Sequence, residues 1–278
     1  MQVYSLYFKR KDLNLSIAMD KIRLLNISVD NLNMDEAINE IDRLINSGKF
    51  NYVVTPNVDH IVKLEKDNEF AEVYANADLV LTDGKPLIWI SKWLKSPIKE
   101  KISGSDLFPK VCELAANKGY KMFFLGAAEG VAAKAAENLQ KKYPGLDVVG
   151  TYSPSFGFEK NEEEIANIVS MINSTEPDIL IVGVGAPKQE KFIYHHLNEL
   201  KVPISLGLGA SLDFEAGNVK RAPKWMSNHG LEWLYRFFKE PRRLFKRYFI
   251  DDIKIIRLYF KYKKSNKEAN ASKNENIN

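Results

Sequence analysis

Residues 178–190 read "DILIVGVGAPKQE". Four apolar residues in a row, Ile179 to Val182, run into two glycines, and a helix-forming stretch, "PKQEKFIYHHLNEL", follows at once. A strand with one wet face alternates apolar and polar residues, whereas a strand covered on both faces does not. The stretch therefore reads as a fully buried strand, a glycine turn and a helix. Comparable units occur on either side. "FNYVVTPN", "DLVLTD", "YKMFFLGAA", "DVVGTY" and "PISLGLGA" read as strands, and helical segments separate them. Earlier, "IRLLNISV" reads as a strand, and "NMDEAINEIDRLINSGK" as a helix opened by Asn33 and Glu36 at capping-box spacing. "DHIVKLEKDNEFAEVYANA" reads as one helical stretch. The expected class is α/β, a Rossmann-like, mostly parallel sheet covered by helices on both faces.

In such sheets ligands sit at the C-terminal ends of the strands. Those ends read Thr55-Pro56-Asn57, Thr82-Asp83-Gly84, Gly126-Ala127-Ala128, Gly183 to Glu190, and Gly207 to Ser211. Small residues there leave room for a ligand to approach the backbone, and glycines before helices expose N–H groups to phosphate. A nucleotide or diphosphate ligand is expected. "LGAAEGVA" lacks the full G-x-G-x-x-G spacing, and Asp147 begins its strand instead of ending it, which argues against a dinucleotide cofactor. No P-loop motif occurs. Asp83 has two readings: an N-cap for the helix that follows, or a catalytic base at the mouth of the sheet.

Other chemistry is bounded by composition. The chain has 278 residues, 45% hydrophobic and 27% charged, with one cysteine, Cys112, expected as a buried thiol. No disulfide or Cys-rich zinc site is possible within it. His60, His195, His196 and His229 are expected in structural or surface roles, and no D-x-D motif for a divalent ion is present. No apolar run reaches the length of a membrane span. The N-terminus does not read as a secretory signal, so a cytoplasmic location is expected.

The net charge of +4 is uneven. Residues 230–264 carry eleven Lys or Arg against four Asp or Glu, a net of +7, leaving −3 for the rest. Pro241 is expected to start a helix there, with Phe245, Phe249, Ile253, Ile256 and Phe260 on one face and basic residues around it. This is the pattern of an interfacial helix on anionic lipid, and no nucleic-acid module accompanies it. The expected organisation is a catalytic domain over 1–229, a membrane-associating basic amphipathic helical appendage over 230–264, and a disordered polar tail over 265–278.

Several motifs taken together resemble the WecG/TagA/CpsF glycosyltransferase family. They are "TPN" at 55, "ADLVLTDG" at 77, "ISGSDL" at 102, "GAPKQE" at 185, "GLGASLDFEAG" at 207 and "RAPKWMSNHGLEWLYRFFKEPRR" at 221. The resemblance implies an inverting transferase needing no metal or other cofactor. It would move a sugar, commonly N-acetylmannosamine or its uronate, from a UDP-sugar to a polyprenyl-diphosphate-linked sugar on the inner face of a bacterial cell membrane. It carries Thr55, Asn57, Asp83 and Gln189 to the active-site pocket. Asp83 would be the general base, Thr55 and Asn57 would orient the sugars, and Gln189 would hydrogen-bond near the diphosphate. Arginines such as Arg236, Arg243 or Arg247 would reach the diphosphate from a C-terminal segment that can close over the pocket. Lys101 stands where the family pattern leads us to expect arginine, which keeps the charge but loses bidentate phosphate recognition. A different nucleotide-sugar enzyme such as an epimerase, or a non-catalytic membrane-associated binding module, remains an alternative, and a homo-oligomer is compatible with the sequence.

Overall fold

The computed structural model describes residues 20–219, 222, 223, 226, 231–239 and 241–275. The N-terminal stretch read for a signal, most of the segment 220–230 with His229, and residues 276–278 lie outside the described residues. Among the described residues the core is a six-stranded, wholly parallel sheet in the order β4-β3-β8-β7-β5-β6. Its strands are β3 (Asn51–Val54), β4 (Leu79–Val80), β5 (Lys121–Gly126), β6 (Asp147–Tyr152), β7 (Ile179–Gly183) and β8 (Ile204–Gly207).

The continuous apolar runs behave as their sequence requires. Tyr52, Val54, Leu180 and Val182 face one buried layer, and Val53, Ile179 and Ile181 face the other. The second layer is covered by α1 (Met34–Ile45), α5 (Gly104–Lys118) and α6 (Val131–Lys142). The first is covered by α2 (Val58–Leu64), α3 (Asn68–Ala75), α4 (Lys85–Trp93), α7 (Glu162–Thr175) and α8 (Lys188–Leu200). The Asn33–Glu36 capping box forms in both directions, each bond 2.9 Å long. The helical stretch 59–77 is two helices, because the Asp67 carboxylate accepts the Phe70 N–H at 3.0 Å and so starts α3 afresh.

"IRLLNISV" is two strands, not one. β1 (Lys21–Leu24) and β2 (Ile27–Asp30) form an antiparallel hairpin that turns at Leu25, where φ is +56°. Its Asp30 carboxylate is buried against the sheet edge and accepts the Val80 N–H at 2.8 Å. Burial pushes this carboxyl above the ordinary aspartate range, although the Val80 bond and Lys21 pull the other way.

The C-terminal segment is helical but is not one straight helix. Short helices α10 (Glu232–Lys239) and α11 (Pro241–Lys246) lead through a π turn, Arg247–Asp251, and a 3-10 turn, Asp252–Lys254, into α12 (Ile255–Glu275). Between them and β8 lies α9 (Ser211–Glu215). Pro241 starts α11, as its fixed φ favours. The tail expected to be disordered from 265 instead continues α12 to Glu275. Its anchor is polar: Asn266, 1% exposed, bonds both the N–H and the C=O of Leu25. Leu258 is buried in the same layer, and Lys261 and Tyr262 both bond the Glu65 carboxylate.

Candidate active site

Register brings the site together. Val80, Val54, Gly207, Val182 and Leu125 lie in one row across the sheet. The residues that follow each of them therefore emerge along one rim. Further bonds tie the loops above it: the Asp83 N–H donates to Pro56 O and the Ile102 N–H to Thr82 O, both at 2.9 Å, and the Leu208 N–H donates to Val182 O at 3.0 Å. A cavity of about 780 Å³ opens over β4, β3, β8 and β7. Its floor is polar and small, and includes Thr55, Asn57, Asp83, Lys101, Gly185, Gln189 and Gly209. Its other wall is apolar and comes from the C-terminal segment, chiefly Trp233, Leu244, Tyr248, Phe249, Ile253 and Ile256.

Asp83 lines this cavity, half-buried. It is not the cap of α4: Gly84, at φ +100°, takes that position, and α4 has no side-chain cap bond. Asn57 does cap its helix, its Oδ1 accepting the His60 N–H at 3.3 Å. Thr55 is buried on the floor beside it. Lys101 is paired with Asp106 at 2.7 Å and lies 3.3 Å from Ser103 Oγ, so the "KISGSD" turn carries its own counter-charge. The backbones of Arg236, Arg243 and Arg247 run through α10, α11 and the π turn, and their side chains lie outside the described residues.

Gln189 is a brace. Its Oε1 accepts the Gly185 N–H at 3.2 Å and the Gly209 N–H at 3.0 Å, and its Nε2 donates to Glu190 Oε1 at 2.8 Å. Two N–H donors can share only an oxygen, so the amide orientation is fixed by its partners. One side chain thus joins the loop after β7 to the loop after β8. Glu190 is fully buried behind it. Desolvation pushes its carboxyl up to about 7, against the opposing pull of the Gln189 bond and Lys63.

The glycines divide by what a side chain would meet. A Cβ on Gly185 or Gly209, both at positive φ, would meet nothing within 4 Å, and both line the cavity. A Cβ on Gly126 would lie 2.6 Å from Gly183 C, and one on Gly183 would lie 2.7 Å from Gly209 O. Those two are small because backbone crosses backbone there. The Gly126-Ala127-Ala128 end does not line the cavity.

Residues without an assigned role in the sequence also line the cavity. Lys63 bonds Asp59 at 2.9 Å and Ala186 O at 3.1 Å, and Lys85 follows Asp83 and Gly84 on the rim. His60 is a core histidine, 2.6 Å from Tyr74 Oη and edge-on to Phe70. It falls one helical turn after Asn57, a spacing that marks it as part of the same corner. His195 and His196 take separate partners, Glu69 and Glu199. Among the described residues no group of three or more His, Cys, Asp or Glu is placed to hold a metal ion.

Residues 22–269 match the family model described as glycosyl transferase WecG/TagA/CpsF family. The chain is 33% identical over 199 residues to the N-acetylglucosaminyldiphosphoundecaprenol N-acetyl-beta-D-mannosaminyltransferase of Bacillus spizizenii, covering 72% of this chain and 75% of that one. It is 30% identical over 219 residues to the Bacillus subtilis protein of the same name, covering 78% and 83%. With the Staphylococcus aureus protein of that name it shares 29% over 226 residues, covering 81% and 87%.

Proposed function

The chain belongs to the WecG/TagA/CpsF family of glycosyltransferases, and from that premise we propose that it transfers N-acetylmannosamine from a UDP-linked donor to an undecaprenyl-diphosphate-linked N-acetylglucosamine, with Asp83 as general base. The observation that carries this reading is the placement of Asp83. It sits at the end of β4 in a cavity with a polar floor, Gly84 rather than Asp83 caps the next helix, and an apolar wall stands opposite. A soluble sugar nucleotide suits the floor, and a lipid-linked acceptor suits the wall.

Inversion at the anomeric carbon is a single in-line displacement. As the acceptor hydroxyl attacks, Asp83 takes its proton, and the bond from the anomeric carbon to the diphosphate breaks. The leaving UDP carries the negative charge. Lys63, Lys85 and Lys101 lie around the cavity to offset it, and in this reading Arg236, Arg243 and Arg247 add to them. Thr55 and Asn57 orient the sugars, while Gln189 holds the two glycine loops that receive the diphosphate.

Peripheral association with the inner face of the membrane belongs to the same proposal. Phe245, Phe249, Ile253, Ile256 and Phe260 are all exposed, as are Trp89 and Trp93 of α4. Trp93 packs edge-on to Tyr259 of α12, so α4 extends the apolar surface beyond the C-terminal segment. No helix among the described residues is long and apolar enough to cross a membrane. Aromatics amid Lys and Arg suit an anionic lipid surface, each basic residue contributing about 1 kcal/mol. Helices that wall the cavity would then also touch the bilayer holding the acceptor.

The test is release of UDP from UDP-N-acetylmannosamine with and without a synthetic lipid-diphosphate acceptor. Acceptor-dependent release, reduced at least about 10²-fold in a folded Asp83→Asn variant, is expected. Near-normal turnover by that variant would remove Asp83 from the role. Conversion of the UDP-sugar without acceptor would favour an epimerase.

A further inference from the structure

Glu190 has no part in the transfer chemistry above, yet it is the most deeply buried carboxyl beside the site, with no exposed surface. One of its oxygens, Oε1, accepts the Gln189 Nε2–H at 2.8 Å, and the other has no hydrogen-bond partner among the described residues. A buried carboxyl left half-satisfied is costly and calls for an explanation. Among the described residues its one hydrogen-bonded side-chain neighbour is the residue that joins the two glycine loops.

We propose that Glu190 is a positioning residue that acts through Gln189: its carboxyl holds the amide in the orientation that braces the Gly185 and Gly209 loops, and it takes up a proton when an anionic diphosphate settles on those loops. The inference rests on the reading of these loops as the diphosphate seat. The geometry supplies the first half. With Nε2 held by Glu190, Oε1 turns toward Gly185 N and Gly209 N, and a flipped amide would set its NH2 against those two N–H donors and its oxygen against the Glu190 carboxyl.

Electrostatics supplies the second half. The groups facing Glu190 are Lys63 and Asp59 from α2 and Tyr74 from α3, besides Gln189. Lys63 is already committed to Asp59 and to Ala186 O, so it does not neutralise Glu190 by direct contact. An ionised Glu190 therefore sets a negative charge behind the loops, and a diphosphate bound on their cavity side repels it. A neutral carboxyl still accepts the Gln189 N–H through its carbonyl oxygen, so protonation keeps the brace and removes the repulsion. Since burial holds this carboxyl up to about 7, the two states exchange near neutrality. The sign follows: diphosphate binds more tightly below that pH and more weakly above it, and binding near pH 7 draws in a proton.

The experiment measures affinity for UDP-N-acetylmannosamine, whose diphosphate diester keeps a constant charge between pH 6 and pH 8. Wild-type affinity is expected to fall about three- to tenfold across that range, the coupling of up to one pKa unit. Calorimetry in buffers of different ionisation enthalpy should show net proton uptake at pH 7. Glu190→Gln keeps an acceptor for Gln189 without titrating. It should bind at pH 8 as wild type does at pH 6, with a flat profile. Glu190→Leu, which removes the acceptor, should bind poorly at every pH. Tight binding by wild type with no proton uptake, or with the same slope in Glu190→Gln, overturns the inference and leaves the transferase reading intact. If no UDP-sugar binds at any pH, the diphosphate seat itself is wrong, and this inference falls with it.

Discussion

Replacing Asn266 with alanine should unfasten the last helix from the first hairpin. Leu25 is fully buried at the hairpin turn, and Asn266 is 1% exposed beside it. The Leu25 N–H donates to Asn266 Oδ1 at 2.5 Å, and Asn266 Nδ2 donates to Leu25 O at 2.9 Å. Alanine leaves both backbone groups buried without that partner. Each such group costs about 1–3 kcal/mol, so the variant should lose roughly 2–4 kcal/mol after partial relaxation. For a chain of 278 residues that lowers Tm by about 5 °C. Asn266→Asp retains the acceptor for Leu25 N–H but turns an oxygen toward Leu25 O, so it should be no better than alanine. Urea denaturation gives the stability, and amide hydrogen exchange at Leu25 reports the local bond. A loss below about 0.5 kcal/mol, within the ordinary scatter of surface substitutions, with the Leu25 amide still protected, would refute the anchoring role.

Gly183→Ala should destabilise by about 1–3 kcal/mol through overpacking, because its Cβ would press Gly209 O and Leu212. It should also weaken donor binding, measured by titration calorimetry, since Gly209 lines the cavity; unchanged affinity would contradict this. Burial of Glu190 should make wild-type stability fall as pH rises from about 4.5 to about 7 and level off above, because the folded state holds the proton that the unfolded chain releases. In Glu190→Gln that component should vanish, so the difference between the thermal melts of the two proteins should change between pH 5 and pH 8; parallel curves would speak against it. Trp93→Ser combined with Phe260→Ser should leave the protein folded and cost about 1 kcal/mol, since both side chains are mostly exposed and the loss is the edge contact of Trp93 with Tyr259. It should abolish co-sedimentation with anionic vesicles, and retained sedimentation would dismiss this surface as the contact.

The parallel sheet was legible because its strands are apolar on both faces. The hairpin was not, because its turn, Leu25-Asn26, contains neither glycine nor proline, and Leu25 is held at positive φ by a side chain 241 residues away. The same contact hides the order of residues 265–275: a polar stretch reads as disordered when its anchor is an asparagine. At the site, Thr55, Asn57, Asp83, Lys101 and Gln189 do come together around one cavity. The glycine turn at 126 misled, since a ligand and a crossing backbone impose the same demand for a missing Cβ. Glu190 stands within "GAPKQE", but only its burial, which depends on the packing of α2, α3 and α8, gives it a role.

The covering of β4 by Asp30 governs how two copies of this chain could share a sheet. β4 is two residues long, and its outer side is closed by the hairpin. At the opposite edge β6 pairs, among the described residues, only with β5. Among the described residues the open edge of the six-stranded sheet is therefore β6, two strands beyond the cavity, or about 10 Å at the usual spacing. Two identical edges related by a two-fold axis meet antiparallel. Such a pairing would turn the C-terminal rims of the two sheets in opposite directions, and the two cavity mouths with them. Copies joined in that way cannot present both mouths to one plane, so an assembly in which every copy works at the same flat surface must be built through elements other than the sheet edge.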